Sequence, residues 1–474
     1  MGLAAIAAVA GMLNPDKITV GDGFGWDGKL YRAFAENFWE ARRGGLSDYC
    51  AGRVAPSLLL HYTLRAVSAP PTKANLLHGF EVMDVLLLVG SAWLWTRVAR
   101  RMGLGPTGLW FGFIGAFANF FALKAVSYYP TLTDVPAFFL GWAMLAAYLR
   151  GSAWLLVVLT LVGRFTWPMA LPMGAILLLF PKSPSGTSND EPAPRIPLSW
   201  RAGALAAVPA LAVGCFVGQV MAKGIPLIAG HNGMPGLFKP AWPLSLAGSC
   251  VYLAVALFLL FRATPSLLGF FTYARLLGRW STYLKLAILV GLALVVKPLA
   301  TRGPDPIDAV TFLKYVAWYS VAAPLKFLVA HVDYYGPVVL VLVLGWRAVA
   351  RAIGAAGTGI GWVVALAVML SLNSESRHLV MFVPFLVAFA AKAVDEQPPA
   401  RRTLWIFAGL SILASKAWLV IGTDVQLYLS NFGPWMSNER YALDGVVLLV
   451  LAFWCARSDL VPRLPPARSP APLP

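Results

Sequence analysis

Val135-Pro136-Ala137-Phe138-Phe139-Leu140-Gly141-Trp142-Ala143-Met144-Leu145-Ala146-Ala147-Tyr148-Leu149 carries no charge and none of the apolar–polar alternation of a barrel strand. Comparable runs lie near 82–95, 107–123, 204–220, 283–296, 338–346, 360–372, 379–391, 404–421 and 446–454. They approach or reach the about 20 residues with which a helix spans a bilayer. Across the 474 residues, 59% are hydrophobic and 12% charged, and the mean hydropathy is +0.70. A soluble domain cannot bury that much apolar surface. The expectation is an all-α, polytopic membrane protein with about 11 to 13 membrane helices, forming one domain over 1–460.

No stretch of about 100 polar residues suggests an appended globular module. The net charge of +17 does not point to nucleic acid, because Lys and Arg sit in short clusters beside the hydrophobic runs. Arg97, Arg100 and Arg101, then Arg347 and Arg351, then Lys392, Arg401 and Arg402, then Arg457, Arg463 and Arg468 mark the cytoplasmic side. The opposite side then holds 14–80, 124–133, the turn near 331–336, 373–378 and 422–441. The segment 14–80 reads as a large first external loop, and 461–474 as a disordered, Pro-rich cytoplasmic tail. Residues 1–13 read as a short first membrane helix, and 181–200 as a flexible Pro/Ser-rich linker. Cys50, Cys215, Cys250 and Cys455 lack metal-site spacing, leaving at most one pairing such as Cys50 with Cys250. No internal repeat is visible, which weighs against a transporter built from duplicated halves.

Ionisable residues near external helix ends are costly there and therefore carry the functional reading. Asp27 lies in Gly21-Asp22-Gly23-Phe24-Gly25-Trp26-Asp27-Gly28-Lys29-Leu30-Tyr31. A carboxylate shielded by Trp26 and Tyr31 suits a general base, and an Asp-Gly turn is the plainer alternative. Asp134 follows Tyr128-Tyr129-Pro130-Thr131-Leu132-Thr133 at a helix start, where the macrodipole stabilises a carboxylate even without a catalytic role. Arg164 breaks the 153–180 run, which would measure about 42 Å as one helix. Arg377 and His378 stand in Ser374-Glu375-Ser376-Arg377-His378 at another helix start. A guanidinium there can grip a phosphate through two hydrogen bonds or merely snorkel.

The order of these segments resembles bacterial membrane glycosyltransferases of the GT-C superfamily. In those enzymes an Asp-Gly-x-x-Tyr segment precedes Tyr-x-x-x-Arg-x-x-x-Pro in the first external loop. Here Asp27-Gly28-Lys29-Leu30-Tyr31 fits and Tyr49 to Arg53 keeps the spacing, while Pro56 falls one residue early. Trp26-Asp27 echoes the GPI-anchor mannosyltransferases. Asp134 matches the second acidic position, Arg164 the helix break, and Arg377 a late external Arg; Phe165 departs from the acidic residue many members carry. No DxD and no Trp-Trp-Asp-Tyr-Gly block is present, which sets the chain apart from oligosaccharyltransferases.

The resemblance implies an inverting hexosyl- or pentosyltransferase in a bacterial inner membrane, its active site facing the periplasm or exterior. It would move sugar from a polyprenyl-phosphate donor to a lipid, glycan or protein acceptor. Asp27 would be the base, Asp134 a second acidic group and Arg377 the donor-phosphate clamp. Asp22, Tyr31, Arg53, Arg164 and His378 would contact substrate. No cofactor is implied with certainty, and a divalent metal ion could stand between Asp27 and Asp134. The competing reading is a flippase or secondary transporter for a lipid-linked sugar, using Asp84, Lys124 and Arg164; a third, an envelope scaffold, leaves the charges unexplained. No Walker loop, HExxH or dinucleotide fingerprint supports other chemistry.

Overall fold

In a computed structural model of the chain, the described residues are 2, 5, 9, 11–14, 16–182, 198–223, 241–300 and 309–463, and every regular element among them is helical. Among the described residues, three helices are long and apolar enough to cross a membrane: Lys73–Arg101, Trp200–Lys223 and Trp242–Ala263. Counting bent pairs as single spans adds Pro106–Phe117 with Phe121–Tyr128, bent by 51°, and Val338–Leu344 with Trp346–Ala356, bent by 85°. The first bend has a local cause. The Asn119 amide donates to the Gly115 and Ala116 carbonyls at 3.0 and 3.1 Å and accepts from the Ala122 N–H at 3.0 Å, displacing the helical ladder. A single π-turn, Phe121–Ala125, absorbs the resulting register change.

The expected 11 to 13 crossings exceed these three to five because several apolar runs are cut short. Ala153–Arg164, Ala170–Leu179, Trp280–Leu294 and Thr358–Leu370 are apolar but only 10–17 residues long. The break after Arg164 falls before Pro168, which cannot donate to a continuing ladder. Large apolar side chains such as Leu205, Val208, Leu211, Leu244 and Val251 point outward from the long helices. That exposed apolar surface fits an integral membrane protein.

The 14–80 segment is folded rather than open. Helices Gly25–Arg43 and Ala55–Ala66 and the first turns of Lys73–Arg101 enclose a core of Phe24, Tyr31, Phe34, Phe38, Leu60 and Phe80. Two ion pairs pin distant segments together: the buried Asp16 with Lys124, and the partly buried Asp333 with Lys416 at 2.9 Å. Asp16 also accepts from the Ile421 and Gly422 N–H groups at 2.8 and 2.6 Å, so residues near 16, 124 and 421 are fixed as one unit. All four cysteines are free, and the Cys50–Cys250 pairing does not form: Cys50 is buried in the 14–80 core while Cys250 lies on Trp242–Ala263. Most of 1–13, most of the 181–200 linker and 464–474 of the tail lie outside the described residues.

Candidate active site

Asp27 is placed by two glycines. Gly25 has φ 71°, and a Cβ on it would fall 2.1 Å from the Tyr129 ring; one on Gly28 would fall 2.2 Å from Thr131 Oγ1. Only glycine lets the start of Gly25–Arg43 press so closely on the 129–131 loop. Tyr129 Oη accepts from the Asp27 and Gly28 N–H groups at 3.0 and 3.4 Å, and Thr131 Oγ1 donates to the Phe24 carbonyl at 2.8 Å. Three residues beyond Thr131, Asp134 opens the Asp134–Arg150 helix, its carboxylate at the positive end of the macrodipole.

Arg377 joins the two carboxylates. Its Nη2 donates to Asp134 Oδ1 at 3.3 Å, its Nε lies 3.3 Å from Asp134 Oδ2, and its Nη1 lies 3.8 Å from Asp27 Oδ2. The Asp134 side chain is 3% exposed and that of Asp27 38%, so only Asp27 is open to an incoming group. Burial works against the Arg377 charge, but Asp134, Asp27 and Glu375 outweigh it and hold the guanidinium well above its ordinary pKa. The approach of the two segments depends on Gly141, where a Cβ would fall 2.3 Å from the Met381 carbonyl oxygen.

The turn that carries Arg377 is held from below. His331 Nε2 is 2.8 Å from the Ser371 carbonyl, which can only accept, so Nε2 carries the proton and Nδ1 accepts from Ser376 Oγ at 2.9 Å. Tyr335 Oη donates to the Ser376 carbonyl at 2.8 Å. His331 and Tyr335 also line a cavity of about 610 Å³ whose walls are otherwise mostly Leu, Val and Phe from Trp242–Ala263, Lys326–Tyr335 and Val338–Leu344. An apolar chamber therefore backs onto the turn bearing Arg377.

Arg53 is the second cation of the site. Its guanidinium carbon lies 4.4 Å from the Tyr49 ring centroid and 4.7 Å from that of Trp167, and the residue is 4% exposed. Among the described residues no hydrogen-bond partner reaches its Nε or Nη1, nor the buried Tyr31 hydroxyl beside it. Burial raises the Tyr31 and Tyr49 pKa values, so both phenols stay neutral, and among the surrounding carboxylates Asp27 and Asp134 are near enough to interact with the Arg53 charge. Behind this pair, Arg164 Nη1 packs on Gly52, and the Phe165 carbonyl accepts from the Ala55 N–H at 2.9 Å. Arg164 thus braces the loop that carries Arg53.

The structure therefore brings Asp27, Asp134 and Arg377 together, with Tyr31 and Arg53 beside them and Arg164 behind. Asp22 stands apart in an exposed turn, its carboxylate 3.9 Å from Arg32. His378 lies 3.8 Å from Glu375 and meets the Asn373 amide; burial, only partly offset by Glu375, pulls its pKa below the ordinary 6.5. Arg377 occupies the bridge between Asp27 and Asp134, where a divalent ion would have had to sit. No group of three or more His, Cys, Asp or Glu among the described residues could hold a metal. Trp167, Tyr129, Ser376 and His331 are given no role by motif, although Tyr129 and Ser376 stand in the segments that carry Asp134 and Arg377, and Trp167 follows the Arg164 break.

Fold and site together define an all-helical protein with membrane-length apolar helices and a half-open carboxylate–guanidinium centre backed by an apolar chamber. No family model, no curated protein and no solved structure matches this chain.

Proposed function

We propose that the protein is a GT-C-like membrane glycosyltransferase that moves a sugar from a polyprenyl-phosphate donor to an acceptor on the non-cytoplasmic side. The observation that carries this reading is Arg53: a buried guanidinium with two unfilled N–H donors, next to the one accessible carboxylate of the cluster. Buried N–H donors left unbonded are costly, and the oxygens of a phosphate ester would satisfy them. Asp27 takes the proton of the acceptor hydroxyl, whose oxygen attacks the anomeric carbon. The bond from that carbon to the phosphate oxygen breaks with inversion, and the electron pair leaves on the phosphate facing Arg53. Arg377, already engaged by Asp134, serves chiefly to position Asp27. The apolar chamber behind Ser376 suits the prenyl chain. Membrane vesicles given a radiolabelled lipid-linked sugar provide the test. Asp27→Asn should lower transfer by about 100-fold or more, the scale of general-base catalysis; unchanged transfer removes the reading.

A proton-coupled transporter is favoured by one observation. Asp84 is buried within Lys73–Arg101, its Oδ1 has no partner among the described residues, and it borders two cavities of about 20 and 10 Å³, each near the size of a single water. Substrate uptake into proteoliposomes that is abolished by Asp84→Asn but not by Asp27→Asn would select that alternative.

A further inference from the structure

The buried Lys124 is paired with Asp16, and the partly buried Lys416 with Asp333. Lys326 is different: it is 1% exposed, yet its ammonium has no ion pair or hydrogen bond among the described residues. Burial pulls its pKa down to about 8, as expected of a cation without a counter-charge. Its surroundings are aromatic. The Lys326 Nζ lies 5.8 Å from the Tyr319 ring centroid, Tyr319 and Tyr315 are 4.7 Å apart, and Trp435 stands 5.7 and 6.0 Å from Tyr315 and Tyr319. Trp435 is 36% exposed and Tyr315 half-buried, whereas Tyr319 and Lys326 are buried at 6% and 1%, so the box opens to the outside on its Trp435–Tyr315 side and Lys326 forms its floor.

This box adjoins the candidate active site. The Ser320 hydroxyl, one residue after Tyr319, donates to the Val316 carbonyl at 2.8 Å and accepts from the Ser374 N–H at 2.9 Å, with Ser374 Oγ 3.2 Å away. Gly433, two residues before Trp435, lies so close that a Cβ would fall 2.2 Å from the Ser374 carbonyl. Glu375 follows, near enough for its charge to act on both Tyr315 and Arg377.

Aromatic faces are electron-rich and attract the polarised C–H groups on one face of a sugar ring. A lone ammonium beside them adds a place for one negative charge. The Glu375 carboxylate nearby weighs against a dianionic phosphate.

We infer that Tyr315, Tyr319, Trp435 and Lys326 form an acceptor subsite for a sugar ring bearing a carboxylate, that is, a uronic-acid residue. The inference rests on the glycosyltransferase reading for its place in the reaction but not for its test, because binding needs no donor. Full-length protein in nanodiscs is titrated with methyl glucuronide and with methyl glucoside, followed by saturation-transfer NMR and tryptophan fluorescence. The glucuronide should bind at least tenfold more tightly. Lys326→Gln should remove that preference while leaving glucoside binding in place. Trp435→Ala should weaken both ligands by about tenfold, and Trp435→Phe by much less. Thermal unfolding near the parent's confirms that each variant is folded. Equal binding of the two sugars, a preference that survives Lys326→Gln, or no saturable binding overturns the subsite. Loss of lipid-linked sugar transfer with an intact glucuronide preference would instead count against the glycosyltransferase reading alone.

Discussion

Arg53 separates what side chains reveal in a sequence from what they reveal in space. Tyr49-Cys50-Ala51-Gly52-Arg53 is visible as a motif, but the second wall of its sandwich, Trp167, arrives from more than a hundred residues away. No local pattern announces that contact. Trp167→Phe keeps most of the packing and weakens the cation–π contact by about 0.5–1 kcal/mol. Donor KM should therefore rise about two- to fivefold with kcat little changed. Under the proposed glycosyl transfer, Arg53→Gln removes the charge-assisted bonds that Arg53 would make to the donor phosphate and should weaken donor binding by about 10- to 100-fold, measured by titration with a short-chain donor. His378 supplies a pH test. Its pKa is lower in the folded state than the ordinary 6.5, so it contributes stability that is present above pH 6.5 and lost as the pH falls below it. The 373–378 turn should loosen as pH drops from 6.5 toward 5, seen as faster amide exchange, and His378→Gln should remove that dependence.

At the scale of elements, the sequence exposes helix character well and helix length badly. Apolar blocks predict helices without difficulty, but Asn119, Gly345 and Pro168 break them through contacts or backbone constraints that hydropathy does not register. The same limit applies to how elements meet. Asp134 and Arg377 are each legible at a helix start, whereas their meeting depends on Gly141, buried in the middle of an unremarkable apolar run. Gly141→Ala would push a methyl group to within 2.3 Å of the Met381 carbonyl oxygen. It should cost about 1–3 kcal/mol and reduce transfer by parting Asp134 from Arg377. Gly409, on Arg401–Ala414, has nothing within 4 Å of its would-be Cβ. Gly409→Ala should therefore be neutral or slightly stabilising. Thermal unfolding of both variants in one detergent checks the contrast; equal shifts would mean that the close approach at Gly141 is not limiting.

On the scale of the whole molecule, the polar cluster and the apolar chamber lie on two sides of one turn, joined by the His331–Ser376 and Tyr335–Ser376 hydrogen bonds. That arrangement suits an amphiphile whose charged head and apolar tail are recognised separately. Leu244 and Val251, which line the chamber, are also exposed at the protein surface, so a chain can enter sideways from the lipid. Each CH₂ transferred into the chamber contributes about 0.8 kcal/mol relative to water. Donor affinity should then rise with prenyl length until the chamber is full and level off beyond it. Gly248 allows that expectation to be tested without distorting the fold, because it lines the chamber and its would-be Cβ meets nothing within 4 Å. Gly248→Phe places a ring in space the chain would occupy. The plateau should move to shorter chains, long-chain donors should lose most of their advantage, and the dependence on Arg53 should persist. Measuring KM across a donor chain-length series, for parent and variant, decides the matter. An unchanged plateau would mean that the tail lies elsewhere, leaving the chamber to lipids of the surrounding bilayer.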